Sequence, residues 1–303
     1  MKTNLTHKRR FAIFFSLFLL FITYQSAQAN KAKSLNNNFI KVYIIDVGQG
    51  DSILINLFNK KKILIDTGPK GKFYSFFFKE KRNIINFLNK NNIKKIDQLI
   101  ISHVHKDHIG GLHSILRNIE INEVLDVGFA FPSKDYENCL KLIEKKKILY
   151  KIVRKGFKYS IDNVSIEILS PARFFKHTRS DVNSNSLVIK ITYKNISFLF
   201  PGDIEKEAEY KILSLKNKLK STFLKSPHHG SETSNTSEFI RLVQPKAVFI
   251  SCGKNNIFGH PSQSTLEKYI NMKIPVYRTD IHGTIEIITN GITYSINYKK
   301  KYK

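Results

Sequence analysis

Three of the ten histidines in this chain crowd into six residues beside an aspartate: His103, His105, Asp107 and His108, in the stretch S-H-V-H-K-D-H-I-G-G. Imidazole and carboxylate are borderline-to-hard ligands, and together they suit zinc, manganese or iron. In a loop, alternate side chains can aim at one point while their neighbours aim at another. His103 and His105 can then grip one ion, and Asp107 and His108 a second. Further candidates recur along the chain. Asp203 ends P-G-D, the pair His228-His229 lies in K-S-P-H-H-G-S, and Asp66 opens D-T-G-P. Two ions held roughly 3.5–4 Å apart need a carboxylate between them, and Asp203 suits that place. Asp66 suits an outer position, orienting a histidine through its second ring nitrogen.

Such groups converge only if the elements before them end along one edge. The apolar, β-branched patterns predict strands over 39–46, 53–58, 62–66, 96–101, 123–127, 148–153, 164–169, 186–193, 196–200, 221–224 and 247–251, with short strands near Val276, Ile285 and Thr293. Amphipathic spacing predicts helices over 82–91, 111–119, 134–147, 205–215, 236–243 and 263–272. Asp66, His103 to His108, Asp203 and His228-His229 then follow the C-terminal ends of four separate strands. A layered α/β sandwich brings such ends together on one side. No repeat or low-complexity spacer interrupts the pattern, so one domain over 39–303 is expected.

At +26 the formal net charge is extreme, and 42% hydrophobic residues supply a sizeable core. So basic a surface attracts nucleic acid, anionic lipid or other polyanions. The N-terminus reads as an export signal over 1–29. Lys8, Arg9 and Arg10 precede an apolar run from Phe11 to Tyr24, and Ala27-Gln28-Ala29 gives the small-x-small cleavage pattern. That run is shorter than the ~20 residues of a membrane span. A polar linker over 30–38, secretion or periplasmic location, no stable membrane anchor after cleavage, and a monomer are the corresponding expectations. Cys139 lies in a helical pattern and Cys252 behind a buried strand, so two free buried thiols are expected.

The ordered motifs D-V-G-Q-G-D-S, S-H-x-H-x-D-H-x-G-G, P-G-D, P-H-H-G-S and G-K-N-N-x-F-G-H-P-S resemble the metallo-β-lactamase superfamily. More narrowly, they are similar to the soluble hydrolase-like domain of ComEC-type DNA-uptake proteins and their stand-alone secreted relatives. The likeness covers about residues 40–297. It implies a four-layer αββα sandwich and two divalent ions, zinc or manganese. Carried over by position, His103 and His105 would bind the first ion, and Asp107, His108 and one of His228 and His229 the second. Asp203 would bind both. Asp46, Asp51, Asp66, Ser231, Asn255 and His260 would support these groups or meet substrate. Many superfamily members have a further first-ion histidine where this chain reads S-D-V-N-S-N-S-L-V. That position is therefore expected to be weakly held or empty, or completed by water, Asp181 or Asn185.

The function so implied is a secreted metal-dependent phosphodiesterase or nuclease acting on DNA or other nucleic acid. The ions would lower the pKa of a bound water, Asp107 or Asp203 would position it, and His260 or Ser231 would contact a phosphate oxygen. A phosphorylcholine-type esterase on a cell-surface polymer is the nearest alternative, although a chain with no tryptophan lacks the aromatic choline-binding repeats often seen there. A non-catalytic polyanion-binding protein on the same fold is the alternative outside enzymes. The D-V-G-Q-G-D-S branch differs from true β-lactamases, which argues against β-lactam hydrolysis.

Overall fold

Short runs rich in Ile, Leu, Val and Phe become strands whose two faces are both covered. The computed structural model describes residues 38–71 and 83–299. The expected export signal and nearly all of the expected linker fall outside the described residues. The described residues from Ile40 onward belong to one compact unit.

In chain order β1 (Ile40–Ile44), β2 (Ile53–Asn56), β3 (Lys62–Ile65), β4 (Lys95–Ile101), β5 (Glu120–Asp126) and β6 (Leu149–Ile152) begin a first sheet. A second sheet follows from β7 (Lys158–Ile161), β8 (Val164–Ser170), β9 (Val188–Tyr193), β10 (Ile196–Phe200), β11 (Phe223–Lys225), β12 (Ala247–Ile250) and β13 (Val276–Arg278). The chain then returns to the first sheet as β14 (Ile285–Thr289) and β15 (Tyr294–Tyr298). The orders are β15-β14-β1-β2-β3-β4-β5-β6 and β13-β12-β11-β10-β9-β8-β7.

Alternation along a strand explains the layering. In β4, Ile100 joins the core between the sheets, while Leu99 and Ile101 face outward. In β12, Phe249 points inward and Val248 and Ile250 outward. Strands buried on both faces read as continuous apolar runs, as these do. Helices α1 (Ile84–Lys90), α2 (Lys106–Ile109), α3 (Leu112–Asn118) and α4 (Lys134–Lys145) follow strands of the first sheet. Ile84, Leu88, Leu112, Ile115, Tyr136 and Ile143 cover its outer face. After the one-turn α5 (Asp181–Ser184), helices α6 (Lys206–Ile212), α7 (Ser237–Val243) and α8 (Gln263–Asn271) cover the second sheet. Ala208, Ile212, Phe239, Ile240 and Tyr269 supply that contact. A single turn, α9 (Thr279–His282), follows β13. The result is the αββα sandwich expected from the motifs.

Three local features depart from the sequence expectation. Strand β7 has the weakly apolar sequence K-Y-S-I and half-exposed side chains, which conceal it as an edge strand. The 205–215 helix ends at Ile212 and continues as a 3-10 stretch, Leu213–Lys218. The one-turn α5 is nucleated by Ser180, whose side chain accepts from the Asn183 N–H. Cys139 and Cys252 are both free and buried, as expected.

Candidate metal centre

Parallel pairing sets the location. Strands β3, β4 and β5 run parallel in the first sheet, and β10, β11 and β12 run parallel in the second. Loops leaving their C-terminal ends therefore open along a shared edge. Asp66 follows β3 in the left-handed region (φ 57°), which aspartate tolerates better than most residues. Its Oδ1 accepts from Ser102 N at 2.8 Å and its Oδ2 from Ser102 Oγ at 2.6 Å, fixing where β4 ends. The same Oδ2 lies 2.8 Å from His108 Nδ1. One carboxylate thus anchors the histidine loop and turns the His108 ring so that Nε2 faces inward.

At that inward point four side chains from both sheets meet. His108 Nε2 is 3.1 Å from Asp203 Oδ2, and His229 Nε2 is 3.3 Å from the same oxygen. Asp107 Oδ2 lies 3.0 Å from His229 Nε2 and 3.9 Å from His108 Nε2. One donor atom each from Asp107, His108, Asp203 and His229 fall within 4.8 Å of one another. His229 Nδ1 is 2.9 Å from the Ser251 carbonyl. Both inward histidines therefore have their second nitrogen held, the arrangement that orients metal-ligating imidazoles. Glu205, not Asp203, occupies the N-cap position of α6, so the Asp203 carboxylate is left for the centre.

A second position lies beside the first. His103 Nε2 is 3.2 Å from His105 Nδ1 and 4.0 Å from Asp203 Oδ2. Asp203 Oδ2 accordingly faces both positions. Neither Asp181 nor Asn185, two of the alternatives open from sequence, completes this side. The Asp181 carboxylate accepts from the Thr178 and His177 N–H groups, and the Asn185 carboxamide is tied to the Phe175 and Asp181 backbone. Asn183 stands there instead, beside His105 and 3.5 Å from His228 Nε2.

Of the two adjacent histidines, His229 reaches the centre. His228 turns Nδ1 toward Glu205 Oε1 at 3.5 Å. His260 lines the mouth, its ring 5.4 Å from that of His228 and 6.5 Å from that of His229. Asn255 is exposed on the same loop. Ser231 works as a turn residue, its hydroxyl 3.1 Å from Thr233 Oγ1 and its carbonyl accepting from Thr265. Asp46 Oδ1 accepts from Gly48 N in the loop after β1, and Asp46 is not one of the four side chains that converge within 4.8 Å.

Besides Asn183, sequence reading missed Lys225. It is 1% exposed, its ammonium pairs with Asp51, and it lies 3.4 Å from Asp203 Oδ1. Burial opposes its charge, but Asp51 and Asp203 outweigh that and hold its pKa above the ordinary lysine value. Asp51 Oδ1 is also 3.5 Å from His229 Nδ1. Burial likewise disfavours charge on His108 and His229, yet Asp203 and its neighbours push both upward, His229 to about 9. His103, lacking so close a carboxylate, is driven well down by burial and by His108. Asp203 is held far below the carboxylate range, because His229, His108 and Lys225 overcome its burial. Four aspartates, Asp51, Asp66, Asp107 and Asp203, thus gather at this centre, and the Lys225 ammonium pairs with two of them, Asp51 and Asp203. A pocket of that charge, with borderline nitrogen and oxygen donors, fits divalent metal ions.

Close approach of backbone completes the floor. Gly50 has φ 135°, and a Cβ there would sit 2.1 Å from the Asp107 carbonyl oxygen. Asp51 N donates to that same oxygen at 3.2 Å. Gly50→Ala must therefore displace Asp107. Disturbing what positions a metal ligand costs about 10- to 100-fold in metal affinity, so affinity measured by titration is expected to fall by about that much. An unchanged affinity would mean that the loop does not set the Asp107 position.

Nitrogen and carboxylate donors at the edge of an αββα sandwich define a metallo-hydrolase type of centre. The profile of the metallo-beta-lactamase superfamily matches residues 45–254, and the chain belongs to that superfamily. It is 34% identical over 256 residues to ComE operon protein 3 of Bacillus subtilis (strain 168), covering 81% of this chain and 32% of that one. It is 25% identical over 258 residues to Competence protein ComA of Neisseria gonorrhoeae, covering 84% of this chain and 33% of that one. The chain therefore spans about a third of the length of these relatives, which agree with the ComEC-like resemblance drawn from the motifs. The metallo-beta-lactamase fold protein YhfI from Bacillus subtilis shares the fold, with a TM-score of 0.52, 12% identity, and coverage of 82% of this chain and 99% of that one. Among the described residues no helix is long and apolar enough to cross a membrane.

Proposed function

We propose that this chain is a metal-dependent phosphodiesterase whose substrate is nucleic acid and whose working place is outside the cytoplasm. The observation that carries the reading is the convergence of Asp107, His108, Asp203 and His229 within 4.8 Å, with His103 and His105 alongside. His108, His229, Asp107 and Asp203 would hold one ion, and His103, His105 and Asp203 a second. Such ions supply a nucleophilic water at neutral pH and neutralise phosphate oxygens.

The rest is done by side chains of this chain. Asp66 and the Ser251 carbonyl hold the His108 and His229 rings by their outer nitrogens. Lys225 engages Asp203 Oδ1, leaving Oδ2 directed between the two positions. Asp107 is about one-third exposed and so stands on the substrate side, where its carboxylate can orient a water. His260 flanks the mouth as a partner for a phosphate oxygen. The strongly basic composition supplies attraction to phosphates that does not depend on sequence. The motif resemblance to ComEC-type DNA-uptake proteins supports the choice of nucleic acid, and the apolar run with its Ala27-Gln28-Ala29 pattern supports export.

Chelator treatment should abolish cleavage of labelled DNA, and Mn²⁺ or Zn²⁺ should restore it. A reconstituted protein that binds metal but cleaves neither single- nor double-stranded DNA would overturn the proposal. Binding should also fall steeply as salt is raised, because each phosphate contact releases counterions.

A further inference from the structure

The loop between β12 and α8, C-G-K-N-N-I-F-G-H-P-S, is tightly fixed and yet presents apolar side chains to water. Gly253 N donates to Gln49 Oε1 at 3.0 Å. The Asn256 carboxamide donates to the Gly253 and His260 carbonyls and accepts from His260 N at 3.0 Å. At the tip of this braced loop Ile257 is 91% exposed and Phe258 57% exposed. Ile281, across the gap on α9, is 39% exposed. Between the two segments lies a cavity of about 370 Å³ lined by Lys254, Asn255, His260, Arg278 and Ile281, a size in the usual range for small-ligand sites.

The cavity is connected to the metal centre by rings. The His229 and His260 rings are 6.5 Å apart and inclined by 30°, and the His260 and Phe258 rings are 6.0 Å apart and inclined by 20°. Three roughly parallel rings thus lead from a proposed ligand to the surface. His260 Nδ1 is buried and lacks a hydrogen-bond partner among the described residues. Arg278 is already paired in two-point fashion with Asp280, so it contributes a flat, neutralised wall rather than a spare charge. Flat, half-exposed aromatic surface close to a metal centre suits the face of a base whose phosphate lies at that centre.

We propose that this loop, with Phe258 as its stacking platform, is a subsite for an unpaired nucleobase adjoining the phosphate at the metal centre. The inference rests on the nucleic-acid reading given above and deepens it. Bases within a duplex offer edges and not faces, so the subsite selects single-stranded nucleic acid.

Two oligomers of equal length and charge test the subsite: oligothymidylate and the corresponding abasic backbone. Binding is read by fluorescence anisotropy with calcium present, and cleavage separately with Mn²⁺. Stacking of one base contributes about 1–3 kcal/mol, so the wild-type chain should prefer oligothymidylate about 5- to 150-fold. Phe258→Ala should bring the two affinities to within about twofold, and Phe258→Trp should keep the preference. Phe258 is half-exposed, and a melting curve verifies that the alanine variant is folded. Equal wild-type affinities, or a preference that survives Phe258→Ala, overturn the subsite. Base-dependent binding without cleavage of either oligomer leaves the subsite standing and removes the phosphodiesterase reading. Equal cleavage of both oligomers with equal affinities does the reverse.

Discussion

Asp203→Ala is expected to lower metal affinity by at least about 100-fold and to remove measurable hydrolysis. Losing a residue that merely orients a ligand costs 10- to 100-fold in affinity. Asp203 does more, because its Oδ2 lies 3.1 Å from His108 Nε2, 3.3 Å from His229 Nε2 and 4.0 Å from His103 Nε2. Both ion positions lose a donor in one substitution. Asp66→Ala, by contrast, should fall within the 10- to 100-fold range, since it acts by holding His108 Nδ1. Titration of the metal-free proteins with Mn²⁺ or Zn²⁺ gives both numbers. If Asp203→Ala binds as well as wild type, Asp203 does not bridge the two positions.

Lys225→Met should be among the most destabilising single substitutions in the chain. It leaves Asp51 and Asp203, each 2% exposed, without the ammonium that both contact. Breaking a buried pair by removing one partner costs about 3–5 kcal/mol. For a domain of this size that corresponds to a melting temperature about 6–20 °C lower in the metal-free protein. Saturating divalent metal should recover part of the loss, because an ion on Asp203 replaces some of the missing positive charge. Adding Asp51→Asn to Lys225→Met should also recover part of it, by removing one stranded carboxylate. A fall under about 1 kcal/mol, or one of the same size with and without metal, would show that Lys225 does not neutralise this cluster.

The converging histidines and aspartates were legible because each follows an apolar run, and loops at the C-terminal ends of parallel strands open on a common side. What remained open was settled by backbone geometry. His228 and His229 are neighbours of one type in sequence, but only the second turns its Nε2 to Asp107 and Asp203. Lys225 was hidden by composition, since a lysine among fifty basic residues carries little signal. Its parity held a clue: Phe223, two residues earlier, faces the space between the sheets, so Lys225 lies on the same buried side. Asn183 could not be found by such counting. It reaches His105 only through the tertiary fold, across 78 residues of sequence. Strand β7 escaped for the opposite reason, having too little apolar contrast to announce an edge.

The donors of this centre are divided between the two sheets. His108 meets Asp203 across 95 residues of sequence, and Asp107 meets His229 across 122. Neither sheet by itself carries a complete set, so the chain can acquire high metal affinity only after its halves have docked. An ion bound there acts as a rivet across the sandwich. By mass action, each tenfold excess of free ion over its dissociation constant then opposes separation of the sheets by about 1.4 kcal/mol more.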